Sequence, residues 1–211
     1  MSSVRIAIYQ AQSGIDPAAN AERLVGAVRD AAAGGAAMLF TPEMSGMLDR
    51  DRERALGKAR HEEDDQVLAA VREAAAGAGI WVHLGSLALK AEGGKLVNRG
   101  FVMDNGGEVR ARYDKIHLFD VDLPTGESWR ESAMYEAGAS AVIVPGRSTP
   151  MPSAPSSSIV MPWPTCGSLC HGAETSIVRV PKPAIASGRM PCSRWTSDLK
   201  SPFSPVVNVQ E

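Results

Sequence analysis

The chain predicts an α/β fold, a mixed sheet with helices packed on it, and three observations carry that prediction. Short apolar segments alternate with longer segments of helical period. The helical segments begin behind aspartates and end in glycines. Two strand-like runs then flank Asn105-Gly106-Gly107, a turn whose residues tolerate positive φ. The expected order is β-α-β-α-β followed by a β-hairpin.

The first strand is expected over 4–9, where Val4, Ile6 and Ile8 alternate with Arg5, Ala7 and Tyr9. Asp16 can cap the free N–H groups of a helix, and Pro17 suits its first position. Leu24, Val28, Ala31 and Ala32 recur at helical spacing until Gly34-Gly35 stop the helix. Residues 36–43 (AAMLFTPE) read as a second buried strand ending at Thr41-Pro42-Glu43. After a charged connection, Asp64 or Asp65 opens another helix, with Leu68, Val71 and Ala75 on one face and Gly77 and Gly79 at its end. Strands are then expected over 80–87, 96–104 and 108–118.

Composition narrows the function classes. At 211 residues the chain suits one domain, or one domain with an appendage. Its 44% apolar and 22% charged content allows a real core. A formal charge of -2 argues against nucleic acid as a partner, which needs a strongly basic face. No apolar run is long enough to span a bilayer, and the start MSSVRIAIYQ has no secretory pattern, so a cytoplasmic protein without membrane partners is expected. Three cysteines, Cys166, Cys170 and Cys192, do not suggest a disulfide framework.

The character changes near Pro145. Eleven of the 14 prolines lie from there onward, and serines cluster as in Ser156-Ser157-Ser158. Residues 1–146 carry 16 basic and 21 acidic side chains, whereas 147–211 carry 6 and 3, so the sign of the charge reverses. Prolines interrupt nearly every apolar run there, leaving little room for a central strand or long helix. Two domains are therefore read: a folded part over 1–146 and a Pro/Ser-rich tail over 147–211. The tail reads as a disordered or loosely packed extension, or as the product of a reading-frame change near residue 147.

Few residues suggest chemistry by themselves. Glu43 stands at the end of an apolar strand, where a carboxylate in a partly dry pocket can serve as a general base; a plain loop glutamate is the bland alternative. Lys115, in YDKIHLFDVD, could stabilise a developing oxyanion, or it could be a snorkelling surface lysine. His117 alternates onto the same face and reads as structural, because His61, His83, His117 and His171 are too scattered for a metal site. Cys166 and Cys170 lack the spacing of a redox pair.

Taken together, four blocks carry a resemblance. VRIAIYQAQ, LFTPEM around Glu43, VNRGFVMDNGGEVRARYDKIHLFDVDLP and GESWRES stand in this order, and residues 4–144 resemble the nitrilase superfamily of carbon–nitrogen hydrolases. The YDKIHLFDVDLP segment looks most like the omega-amidase and deaminated glutathione amidase branch. The resemblance implies the N-terminal part of a four-layer α-β-β-α sandwich, with a C-terminal part that is divergent, truncated or frame-shifted. It also implies a Glu-Lys-Cys thiol mechanism that cleaves a small carboxylate-bearing amide to acid and ammonia without metal or organic cofactor. Glu43 would be the general base, Lys115 the stabiliser of the tetrahedral intermediate, and Glu131 of GESWRES a second glutamate helping to orient the lysine and substrate. A homo-oligomer is implied as well. Where the family places its cysteine this chain has PSSSIVMPWP. Cys166 is the nearest thiol but lies further along, so the nucleophile is left unassigned. The alternative is a catalytically inactive nitrilase-like remnant that keeps substrate or subunit binding.

Overall fold

The computed structural model describes residues 3–145 and two further strands, 158–160 and 174–181. The central sheet is built from β1 (Ser3–Gln10), β2 (Met38–Phe40), β3 (Trp81–Lys90), β4 (Leu96–Met103) and β5 (Val109–Asp114). Three helices, α1 (Pro17–Ala33), α2 (Arg52–Lys58) and α3 (Gln66–Ala78), connect its first strands. Past β5 come the short pair β6 (Asp120–Asp122) and β7 (Ser128–Arg130), then β8 (Tyr135–Glu136) and β9 (Ile143–Pro145). The outlying strands are β10 (Ser158–Val160), paired with β9, and β11 (Glu174–Pro181).

The sheet runs β11-β1-β2-β3-β4-β5, with β8 pairing alongside β4. β1, β2 and β3 are mutually parallel, whereas β3, β4 and β5 are antiparallel neighbours. Two successive right-handed crossovers moving the same way along a sheet leave their helices on one face. Accordingly α1 and α3 lie together against Ala7, Tyr9, Leu39, Val82, Leu84, Phe101 and Met103. Small residues on the helix side (Ala21, Ala27, Ala31, Ala75) let the layers approach closely. Alternation sends Ile6, Met38, Phe40, Trp81 and Val102 to the opposite face.

The caps act as expected. The Asp16 carboxylate accepts from the Ala18 N–H at 3.0 Å, and Asp65, not Asp64, accepts from the Leu68 N–H at 2.8 Å. Gly79, with φ of 68°, ends α3, while Gly77 lies inside that helix. The 105–107 hairpin turn forms, with Asp104 accepting from the N–H groups of Gly106 and Glu108. Helix α2 arises within the charged connection, capped by Asp51.

Three strand boundaries differ from expectation. β2 spans only Met38–Phe40, because Ala36 still closes the end of α1 and Pro42 has no N–H for the ladder. β3 continues to Lys90 through a register shift between Leu84 and Leu87. β5 stops at Asp114, so His117 does not share a strand face with Lys115; it lies exposed beyond the strand. In the tail, Glu174–Pro181 pairs antiparallel with all of β1. That strand takes the edge of the sheet and ends at its proline, a position where the missing N–H does least harm. Among the described residues no helix is long and apolar enough to cross a membrane.

Candidate active site

Glu43 is carried by a tight turn resting on the irregular part of β3. The Thr41 N–H makes one more ladder bond, to the His83 carbonyl at 3.0 Å, before Pro42 ends the pairing. Thr41 Oγ1 then accepts from the Gly85 N–H and contacts Ser45 Oγ, each at 3.0 Å. Ser86 holds the other side, its hydroxyl accepting from the Met44 N–H at 2.9 Å and its carbonyl from the Ser45 N–H at 2.9 Å. Thr41, Ser45 and Ser86 are all buried, so these bonds are shielded from water. Met44, directly after Glu43, has φ of 54°, a left-handed conformation costing about 1–2 kcal/mol for a non-glycine residue. Backbone strain of this kind persists only where its surroundings impose it.

Lys115 is fixed from two directions. Its N–H donates to the Asn98 carbonyl, and its own carbonyl accepts from the Gly138 N–H, both at 2.9 Å. Gly138 is required for that approach, since a Cβ there would lie 2.2 Å from the Asp114 carbonyl oxygen. The side chain of Lys115 leaves on the face opposite the ion cluster of Glu62, Arg99, Arg112 and Asp114.

Glu131 opens a 3-10 turn after β7 and folds back on the chain. One of its carboxylate oxygens accepts from the Phe119 N–H at 2.6 Å, and its own N–H donates to the Phe119 carbonyl at 3.2 Å. Asp120 supports the turn by accepting from the Ser132 N–H at 3.0 Å. The β6–β7 pair is thus what returns Glu131 to the strand end.

These three elements converge. Lys115 Nζ lies 2.9 Å from both Glu131 oxygens and 3.3 Å from Glu43 Oε1. Lys115 and Glu131 are mostly buried, with side chains 13% and 16% exposed, whereas Glu43 is 36% exposed. The ammonium sits at the protected end, with Glu43 toward solvent. Two carboxylates around one ammonium leave a formal charge of −1. Tyr135 registers that field: burial, then Glu131 and Glu43, push its phenol up to about 12.

Two contributors are not evident from the motifs. Asn98, only 2% exposed, donates from Nδ2 to Glu43 Oε1 at 2.7 Å. A polar residue within the apolar run of β4 was the available signal. The Phe119 N–H is a main-chain group and has no sequence signature. Among the described residues no group of three or more His, Cys, Asp or Glu side chains gathers as a metal site. Cys166 lies outside the described residues, as do Cys170 and Cys192.

Comparison with known proteins points one way. Residues 5–156 match the carbon-nitrogen hydrolase family. The chain is 28% identical over 141 residues to a deaminated glutathione amidase of Yersinia enterocolitica, covering 65% of this chain and 49% of that one. It is 32% identical over 146 residues to an omega-amidase of Danio rerio, covering 66% and 50%. It therefore spans about half the length of these relatives. Among solved structures, the NitFhit protein of C. elegans superposes with a TM-score of 0.61 at 27% identity, over 67% of this chain and 35% of that one. A Nesterenkonia AN1 amidase from the nitrilase superfamily gives 0.57 at 25%, over 68% and 52%.

Proposed function

The chain belongs to the carbon-nitrogen hydrolase family, and on that premise we propose that it is an amidase hydrolysing a small carboxylate-bearing amide to an acid and ammonia. The observation that carries this reading is the ammonium of Lys115 held between the carboxylates of Glu43 and Glu131. In the proposed reaction a cysteine thiol adds to the amide carbonyl while Glu43 takes its proton. The oxyanion develops beside Lys115, whose charge stabilises it in a partly water-excluded setting. Glu43 then returns the proton to the departing nitrogen, leaving a thioester and ammonia, or the free amine where the amide nitrogen is substituted. Water that loses its proton to Glu43 attacks the thioester, and the acid leaves as the thiol is restored.

Glu131 has no proton to move in this scheme. It fixes Lys115 through two equal contacts and is itself fixed by the Phe119 N–H. No described residue supplies the thiol. Cys166, the thiol nearest along the chain to the family's cysteine position, is the candidate by sequence alone, and no cofactor enters the scheme. The names of the relatives favour deaminated glutathione and an ω-amide as first substrates, for which α-ketoglutaramate serves as a small carboxylate-bearing example.

The test is to incubate the folded protein with each compound, measuring ammonia from α-ketoglutaramate and cysteinylglycine from deaminated glutathione. Turnover that is lost in Lys115→Met and Glu43→Gln supports the reading. Turnover that survives both substitutions removes the proposed roles. A folded protein without turnover toward amides returns the reading to a nitrilase-like remnant. Cys166→Ala tests the nucleophile separately.

A further inference from the structure

We propose that Asn98 is a positioning residue of this site, anchoring Glu43 by Oε1 so that Oε2 is the oxygen that exchanges protons. The inference rests on the amidase reading above, and it concerns which atom of Glu43 does the work.

Asn98 touches both acid-base elements of the site. Its side chain donates to Glu43 Oε1 at 2.7 Å, and its main-chain carbonyl accepts from the Lys115 N–H at 2.9 Å. Lys115 Nζ also approaches Glu43 through Oε1, at 3.3 Å. Two donors therefore hydrogen-bond the same carboxylate oxygen, Oε1. An oxygen that already accepts two hydrogen bonds from an amide and an ammonium is the poorer place for a proton. The other oxygen is the better acceptor, and it keeps a constant orientation while Oε1 stays held.

A second observation separates a functional amide from a merely structural one. Asn98 Oδ1 is buried and has no hydrogen-bond partner among the described residues. A buried acceptor left unpaired is unfavourable, and an apolar side chain of the same shape would avoid it. Apart from Glu43 and Lys115, its nearest neighbours on that face are apolar, with Leu96 fully buried beside it and Ala88 directly across on β3. Packing alone would favour leucine at this position. What asparagine adds is a neutral donor to Glu43 beside the Lys115 ammonium.

The experiment compares wild type with Asn98→Leu in kcat, KM and thermal midpoint, with the crystal structure of each. The expected result is kcat lower by about 100-fold with KM within about twofold, the scale of effect for a reacting group misplaced by ~1 Å. The midpoint is expected to stay level or rise, because the unpaired acceptor is gone, and the Glu43 carboxylate should turn away from β4. If wild type turns over and Asn98→Leu keeps its kcat, the inference is overturned. A lowered midpoint with Glu43 unmoved overturns it too, by making the amide structural. Should wild type show no turnover, the amidase reading fails, and the Glu43 position in the two crystal structures still decides whether Asn98 anchors it. If Asn98→Leu does not fold, Asn98→Ser, too short to reach Oε1, is read by the same criteria.

Discussion

A methyl group at Gly85 probes how Glu43 is carried. A Cβ there would lie 2.3 Å from the Pro42 carbonyl oxygen, 2.4 Å from that of Thr41 and 2.5 Å from the Pro42 carbonyl carbon. A relaxed carbon–oxygen contact needs ~3.3 Å, so the backbone must separate by about 1 Å. No side chain can rotate to provide that space. The movement also strains the Thr41 N–H bond to His83 and the Gly85 N–H bond to Thr41 Oγ1. Overpacking costs ~1–3 kcal/mol, and weakening two shielded hydrogen bonds adds ~1 kcal/mol or more. Gly85→Ala should therefore destabilise the fold by about 3 kcal/mol, lowering Tm by roughly 6–12 °C for a chain of this size. Urea unfolding followed by circular dichroism measures it. Gly46→Ala is the control: its nearest obstacle, 2.6 Å away, is the Leu87 side-chain end, so about 1 kcal/mol is expected. If Gly85→Ala is within ~0.5 kcal/mol of wild type, or no worse than Gly46→Ala, the Thr41–Pro42 carbonyls do not press on β3 and the account of the turn is wrong.

Other substitutions test separate parts of the structure. Burial pushes the His83 imidazole down to about 4, opposed by its own backbone, and among the described residues neither ring nitrogen has a hydrogen-bond partner of normal geometry. The unfolded chain then binds more protons between about 6.5 and 4, so stability should fall by up to ~3 kcal/mol as pH drops through that window. His83→Leu should abolish this acid-side loss in unfolding curves taken from pH 7 to pH 4. Lys115→Met should reduce amide turnover by at least ~10³-fold, and by leaving two carboxylates unpaired it should cost about 1–3 kcal/mol in urea unfolding. Arg99, one-quarter exposed, bridges Asp114 at 2.6 Å and Glu62 at 2.9 Å, and those partners raise its already high pKa further. Arg99→Met should cost about 2–3 kcal/mol by calorimetry and leave kcat near wild type, since the cluster lies on the helix side of the sheet.

Much of the fold was legible locally because its causes are local. A cap depends on residues two or three positions away, as Asp16 and Asp65 do, and a hairpin turn on the few residues within it. The boundaries that went astray answer to distant groups. β5 ends at Asp114 because the Lys115 carbonyl is claimed by Gly138, and β3 bends around a turn arriving from β2. Neither cause leaves a mark in its own segment.

The candidate site divides in the same way. Glu43, Lys115 and Glu131 each stand in a block whose residue types and order resemble one family, and those blocks are continuous stretches of chain. Their meeting is a property of the sheet: Lys115 is 72 residues from Glu43 and 16 from Glu131. Asn98 is the sharper case. From its sequence neighbours it was a polar residue in an apolar strand, of unknown orientation. The register of β4 against β3 and β5 points it at a carboxylate 55 residues away and leaves its other amide atom unpaired among the described residues. Chain order sufficed for the chemical identity of the groups, because that is written in single residues. Which of them touch, and through which atoms, was decided by strand pairing between distant segments, the one interaction no local pattern encodes.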